Sequence, residues 1–323
     1  MENNNQILLQ FENHLAQLPL PEEPQLLYAP IEYSLSEGGK RLRPLLLLLS
    51  CKAFCGSYKQ AMNAAAAVEV FHNFTLLHDD IMDHSDLRRG KPSVVARWGE
   101  NVAILSGDAM LITAYRLLCS TQHPRLNRIM EIFNDMAVGV CEGQQYDMDF
   151  ESRQKVSVVE YMRMIELKTS VLLSGSAMIG ALIGGSSEED ALKLYKFAIE
   201  LGMAFQMQDD LLDSYGDERL GKPIGGDILE GKKSYLMITA MSHAQESERE
   251  ILRTTHLNSE LTPEQKIEQI KSIYNKLEIP HIVEQQISLR FERALQILDN
   301  LGLSEERISG LREFAESLMG RKK

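Results

Sequence analysis

No proline interrupts the chain between Pro124 and Pro223, and apolar residues recur there at helical spacing, as at Tyr161, Ile165, Leu172, Ala177 and Leu182, with polar positions between them. A period of three to four puts one apolar stripe on each helix, so the pattern predicts long amphipathic helices. Alternation with a period of two, bounded by turn pairs, is absent, and no sheet is predicted. Breaks are expected at Gly38-Gly39, Gly184-Gly185 and Gly225-Gly226. Further on, Thr262-Pro263-Glu264 places a capping residue before a proline that suits a first helical position, and Ser304 precedes Glu305 and Glu306, acids that favour a first helical turn. The fold class predicted is all-α. No change of composition divides the 323 residues, so a single domain over 1–323 is expected.

Composition narrows the chemistry. Hydrophobic residues make up 44% and charged residues 25%, the balance of an ordinary globule with a sizeable core. The net charge of -12 repels polyanions and excludes nucleic acid as a first choice of partner. An acidic protein still binds anions when divalent cations sit between its carboxylates and a phosphate. The four cysteines, Cys51, Cys55, Cys119 and Cys141, form no CxxC pair, which predicts buried free thiols in a reducing cytoplasm. The leucine run Leu45 to Leu49 is far below the ~20 residues of a membrane span. The first thirty residues lack the basic flank and apolar run of a signal peptide. A cytoplasmic protein without a membrane span is expected.

One pattern occurs twice. Asp79-Asp80-Ile81-Met82-Asp83 and Asp209-Asp210-Leu211-Leu212-Asp213 are both DDxxD, each following an apolar helical run. Positions i and i+4 on a helix differ by only ~40° around the axis, so Asp79 with Asp83, and Asp209 with Asp213, share a face. Like charges there repel, and their retention amid apolar residues implies a counter-ion. With no histidine or thiolate at ligand spacing, the donor set suits a hard cation. Magnesium takes one or two carboxylates plus water and substrate phosphate. A solvated acidic helix face explains one such cluster as well, but two copies favour a magnesium-diphosphate clamp.

Short basic groups accompany the clusters: Lys40, Arg41 and Arg43 within Gly38-Gly39-Lys40-Arg41-Leu42-Arg43-Pro44, then Arg88-Arg89, Lys168, Lys222 and Lys232-Lys233. Arginine forks and lysine point charges suit phosphate oxygens, and the glycines allow close backbone approach, so together these groups could hold a second diphosphate directly. Gly216 to Lys222 matches GxxxxGK, but Pro223 stands where a nucleotide loop needs Ser or Thr and no strand precedes it, so that match is accidental. The basic end Arg321-Lys322-Lys323 reads as a frayed terminus ahead of a cap over a bound diphosphate.

From Gly38 to Lys233 the chain resembles the trans-type isoprenyl diphosphate synthases. The likeness rests on Gly38 through Pro44, Glu69-x-x-His72, His78 through Asp83 with Arg88-Arg89-Gly90, Gly143-Gln144, Lys168-Thr169, Phe205-Gln206-x-x-Asp209-Asp210-x-x-Asp213, and Gly226-Asp227 through Gly231-Lys232. The resemblance implies an isoprenoid synthase-type helical bundle around a deep central cavity, the aspartate motifs facing each other at its mouth, and a homodimer. It implies three magnesium ions on Asp79, Asp83 and Asp209, with Asp80, Asp210 and Asp213 ligating directly or through water. Arg88, Lys168 and Lys222 would grip an allylic diphosphate (dimethylallyl, geranyl or farnesyl). Gly39, Lys40, Arg43, His72 and Arg89 would hold isopentenyl diphosphate. Thr169 and Gln206 would flank the developing carbocation, and Lys232 would draw the second motif closed. Ser234 stands where the family more usually has threonine, a hydroxyl-for-hydroxyl change.

Phe74 lies five positions before Asp79, about 7.5 Å back along a helix axis, where a growing chain could meet it. By resemblance, one aromatic there beside the small Thr75 implies a short product, C20 (geranylgeranyl) ahead of C15 (farnesyl). A core aromatic is the plainer reading of Phe74. Three rival functions remain. A metal-dependent phosphohydrolase leaves the second DDxxD unexplained. A terpene cyclase would by resemblance carry a different second metal motif. A non-catalytic partner subunit would have lost motif residues that are all present here.

Overall fold

The computed structural model describes residues 3–216 and 224–320. The helical periodicity is realised as α1 (Asn4–Ala16), α2 (Gln25–Ser36), α3 (Leu42–Cys55), α4 (Met62–Met82), α5 (Val94–Trp98), α6 (Glu100–Cys119), α7 (Leu126–Ser152), α8 (Val158–Ile165), α9 (Val171–Ile183), α10 (Glu188–Tyr215), α11 (Gly226–Glu230), α12 (Tyr235–His243), α13 (Glu246–Thr254), α14 (Pro263–Lys276), α15 (Ile279–Asp299) and α16 (Glu305–Met319). The all-α class is borne out. The chain packs as two compact units: Met1–Asp135 with Leu172–Tyr195 and Leu298–Phe314, and Met136–Val171 with Lys196–Ile297 and Ala315–Lys323.

In the first unit α4 packs on α3 and α6. Ala64, Ala65, Ala66 and Ala67 of α4 are fully buried, and side chains this small let neighbouring helices approach closely. The leucine run is the interior of α3. Leu45 through Leu49 are all buried, because α3 is covered on more than one side, and each such side chain stabilises by roughly 1.5–3 kcal/mol relative to exposure. The second unit centres on Tyr161, Met203, Met207, Leu236, Ile270 and Tyr274. Its helix starts follow their sequence signals. Thr262 accepts from the Gln265 N–H with Pro263 in the first turn, and Ser157 and Glu160 cap α8 reciprocally.

Three features depart from expectation. Leu87–Arg88 (β1) and Lys91–Pro92 (β2) pair antiparallel, a hairpin too short to leave an alternating pattern, turned by Arg89 (φ 54°) and Gly90 (φ 77°). All four thiols are free, but only Cys51 is buried; Cys55 and Cys119 fall at the exposed C-terminal ends of α3 and α6, and Cys141 is exposed on α7. Two stretches, Glu100–Cys119 and Val158–Ile183, are long and apolar enough to cross a membrane by length and composition. Most of the second is buried within the protein, as a core helix is.

Candidate active site

The first DDxxD forms the C-terminal end of α4. Asp79 is inside the last turn, Asp83 is the C-cap whose N–H donates to the Asp79 carbonyl (2.8 Å), and no basic residue lies in that turn. A helix C-terminus carries roughly half a negative charge, so carboxylates there are repelled by the backbone as well as by each other. Asp79 is half-buried and Asp83 exposed. Asp80 turns inward instead. It is buried and accepts from Nε (2.9 Å) and Nη2 of Arg88, whose Nη2 also stands 3.9 Å from Asp79 Oδ2. Burial raises the Asp80 pKa, with Arg88 opposing it. Asp80, Arg88, Arg89 and Asn73 line a small pocket with Ser34, Glu37 and Leu76.

The hairpin turn sends Arg89 to the loop between α2 and α3, where its Nη1 donates to the Gly38 carbonyl. A side chain on Gly39 (φ 136°) would stand 3.0 Å from that guanidinium. Arg43 Nη1 meets His72 Nε2 at 2.9 Å, and Arg43 Nε is buried without a partner. Burial and the neighbouring arginines Arg43, Arg89, Arg41 and Arg88 hold His72 well below its usual pKa, so its imidazole is neutral and accepts from Arg43. Burial lowers Arg43 to about 10, with Glu69 opposing and Arg89 reinforcing. Arg89 is lowered too, by burial and then by Arg41. Cations that depress one another around an unpartnered N–H form a site short of an anion. Lys40 is exposed on the same loop.

Arg41 does not join them. Its side chain is buried, with Nη1 2.6 Å from Glu69 Oε1, Nε 2.9 Å from Glu12 Oε1 and Nη2 donating to the Leu35 carbonyl. The expectation that Arg41 binds phosphate is therefore corrected. Two carboxylates and a carbonyl use its fork, and Glu69 of the Glu69-x-x-His72 pattern is its partner. Phe74 is half-buried on α4, its ring 5.6 Å from Phe71 and 4.6 Å from His78, while Thr75 Oγ1 donates to the His72 carbonyl (2.8 Å).

In the second unit the other DDxxD likewise ends a helix, α10, with no basic residue in its last turn. Asp209 and Asp213 are half-buried, and Asp213 Oδ2 accepts the Asp227 N–H (3.1 Å). Asp210 is buried and accepts from the Tyr161 hydroxyl, the Tyr235 N–H (2.8 Å) and Gln206 Nε2 (3.0 Å). Burial pushes its pKa up to about 6 despite those donors, and burial with Asp213 and Asp210 nearby pushes Asp227 up to about 7. Thr169 Oγ1 donates to Gln206 Oε1 (3.1 Å), so Thr169, Gln206, Asp210 and Tyr161 form one chain.

Lys168 and Thr169 sit in a π-helical turn, Glu166–Ser170, joining α8 to α9. The extra residue of such a turn breaks helical register, often at functional positions. Gly143 of α7 permits it: a Cβ there would stand 2.6 Å from the Lys168 Cα. Lys168 Nζ reaches Asp147 Oδ2 at 2.6 Å, and Lys232 Nζ reaches Glu230 Oε2 at 3.2 Å. Lys222 and the basic end Arg321-Lys322-Lys323 lie outside the described residues. Asp147 and Tyr161 were not singled out in the sequence. Tyr161 showed only as an apolar helix position, and its hydroxyl gave no signal.

The donor set fits magnesium. Among the described residues no three His, Cys, Asp or Glu side chains converge as a metal cage, and magnesium does not require one, since it keeps waters and takes substrate phosphate. Asp79 with Asp83, and Asp209 with Asp213, each supply carboxylates at the negative end of a helix, where a cation is favoured.

A model of the polyprenyl synthetase family matches residues 24–277. The chain belongs to that family and is a prenyltransferase. It is 45% identical over 220 residues to a geranylgeranyl diphosphate synthase of Methanosarcina mazei, covering 67% of this chain and 68% of that one. A solved geranylgeranyl pyrophosphate synthase superposes with a TM-score of 0.94 at 42% identity over all of both chains. The corresponding enzyme of Pyrococcus horikoshii superposes at 0.92 with 31% identity, over 99% of this chain and 97% of that one.

Proposed function

We propose that the chain joins isopentenyl diphosphate head-to-tail (1'-4) to an allylic diphosphate and releases an all-trans product, geranylgeranyl diphosphate (C20) foremost and farnesyl diphosphate (C15) next. The observation that carries this reading is the pairing, in one unit, of an acidic helix end at Asp79 and Asp83 with the anion-deficient group of Arg43, His72 and Arg89. These are two differently built sites for two diphosphates. Asp79, Asp83, Asp209 and Asp213 would hold magnesium, three ions by family likeness, which when bound draws charge from the departing diphosphate oxygen.

The protein's own groups do the rest. Arg88, Lys168 and Lys222 hold the allylic diphosphate as its C–O bond breaks and the electron pair leaves with oxygen. Gly39, Lys40, Arg43, His72 and Arg89 hold isopentenyl diphosphate so that its alkene forms the new C–C bond with the allylic cation. The released diphosphate accepts the proton then lost. The Thr169 and Gln206 oxygens turn dipoles to the cation, and Lys232 helps close the second motif. Asp80 and Asp210, each already met by protein donors, would ligate directly or through water. Apolar surroundings exclude the water that would quench the cation.

Phe74, with the small Thr75 beside it, sets the length of the product. Incubation with magnesium, isopentenyl diphosphate and each allylic primer in turn, read by mass spectrometry, should give C20 with C15 as the minor product. Phe74→Ala should raise the share of longer chains about tenfold, the scale of a change in pocket size. No condensation with any primer overturns the activity, and an unchanged product overturns the role of Phe74. The enzyme works in the cytoplasm as a homodimer, and the dimer is supported by Ile104, Leu105 and Ile112, which α6 leaves exposed. Sedimentation should show a dimer that Leu105→Glu with Ile112→Glu separates; a wild-type monomer refutes it.

A further inference from the structure

Phe74 does not stand alone on α4. Its ring meets the His78 imidazole edge to face, with centroids 4.6 Å apart, one helical turn later on the same side. The imidazole is fixed in turn by α6, where Nε2 stands 3.4 Å from the Ile104 carbonyl. Beside it Gly107 is buried, and a Cβ built there would be 2.5 Å from His78 Cδ2 and closer still to Nε2. Real side chains do not approach so closely, so the ring occupies its place only because residue 107 has no side chain. The plain reading of this glycine is tight packing of α4 on α6. What exceeds it is the direction in which the contact leads: the ring admitted by Gly107 touches Phe74.

We propose that Gly107 and His78 are positioning residues for product length. The gap at Gly107 seats the imidazole, and the imidazole holds the Phe74 ring at the angle that stops the growing chain. This rests on the proposed role of Phe74 and extends it to a second helix. Removing the imidazole frees Phe74 to turn aside under a longer chain. Adding a methyl at 107 drives the imidazole from its place and disturbs Phe74 through it. The methyl has no such effect once the ring is gone.

The test compares Phe74→Ala, His78→Ala, Gly107→Ala and the His78→Ala/Gly107→Ala double variant. Product-length ratios are read by mass spectrometry at fixed primer, beside a thermal melt of each protein. His78→Ala should raise the ratio of C25 to C20 about tenfold. Gly107→Ala should change the C20 share, and the double variant should match His78→Ala alone. A product ratio unmoved by His78→Ala, or a Gly107→Ala effect that persists undiminished without the imidazole, overturns the proposal. If these occur while Phe74→Ala still lengthens the product, the role of Phe74 stands and only the positioning by His78 fails. If Phe74→Ala changes nothing, both fall. His78→Ala only removes atoms, so it decides the matter even where the Gly107→Ala single variant does not fold.

Discussion

Asp79→Ala is expected to lower kcat about a thousandfold while leaving the protein as stable as before, or slightly more so. The loss follows from removing a carboxylate proposed to hold magnesium, whose stabilisation of charge on a leaving group amounts to several kcal/mol. The unchanged stability follows from position. Asp79 lies in the last turn of α4, where the helix dipole and Asp83 repel its carboxylate while Arg88 Nη2, 3.9 Å away and partly exposed, attracts it, so its removal changes stability by no more than a few tenths of a kcal/mol. Steady-state kinetics at saturating substrate and magnesium, beside a thermal melt, separate the two effects. Retention of full kcat refutes the ligand role, and a collapse of the melting temperature refutes the view that this carboxylate is held against its own preference.

Arg41→Met is expected to do the reverse, costing about 3–5 kcal/mol of folding stability, the range for breaking a buried ion pair from one side. The fork of Arg41 neutralises Glu69, which is 2% exposed and, among the described residues, has only the Asn73 amide (3.1 Å) as a further side-chain hydrogen-bond partner. Without Arg41 that carboxylate loses its ion-paired guanidinium and keeps only the through-space attraction of Arg43 and Arg89, and Glu69→Gln in the Arg41→Met protein should restore part of the loss. The midpoint of urea unfolding measures both. A weakened affinity for isopentenyl diphosphate at unchanged midpoint would return Arg41 to the phosphate-binding group from which its contacts remove it.

Arg41 also shows where a sequence stops being legible. Lysine and arginine in Gly38 through Pro44 announce a basic loop, but not that Arg41 takes a left-handed backbone (φ 44°) and enters the core while Arg43 faces His72. That choice depends on Glu12 and Glu69, distant in sequence. The DDxxD repeats were easier to read. Spacing alone placed the outer aspartates on one face after an apolar helical run, while the structure adds that both motifs fall at the ends of long helices. The inner pair, Asp80 and Asp210, is implied by the resemblance to ligate directly or through water, but the string does not show that they are buried beside donors of the protein itself. Burial and the partners Arg88, Tyr161 and Gln206 distinguish them. Helix starts at Thr262 and Ser304 were visible because a cap is local chemistry. The π-turn at Lys168 was hidden, since the close approach it makes to Gly143, where a side chain would not fit, involves another helix.

The hairpin at Leu87–Pro92 makes the spacing of Arg88 and Arg89 discrete. Consecutive residues there serve opposite clients, Arg88 the carboxylates of α4 and Arg89 the backbone of the glycine loop. Arg88 closes the first strand and Arg89 opens the turn in a left-handed backbone, so one inserted or deleted residue would misplace both side chains together rather than loosen one of them. The six residues 87–92 therefore act as one unit, in which neither arginine can be re-registered without moving the other.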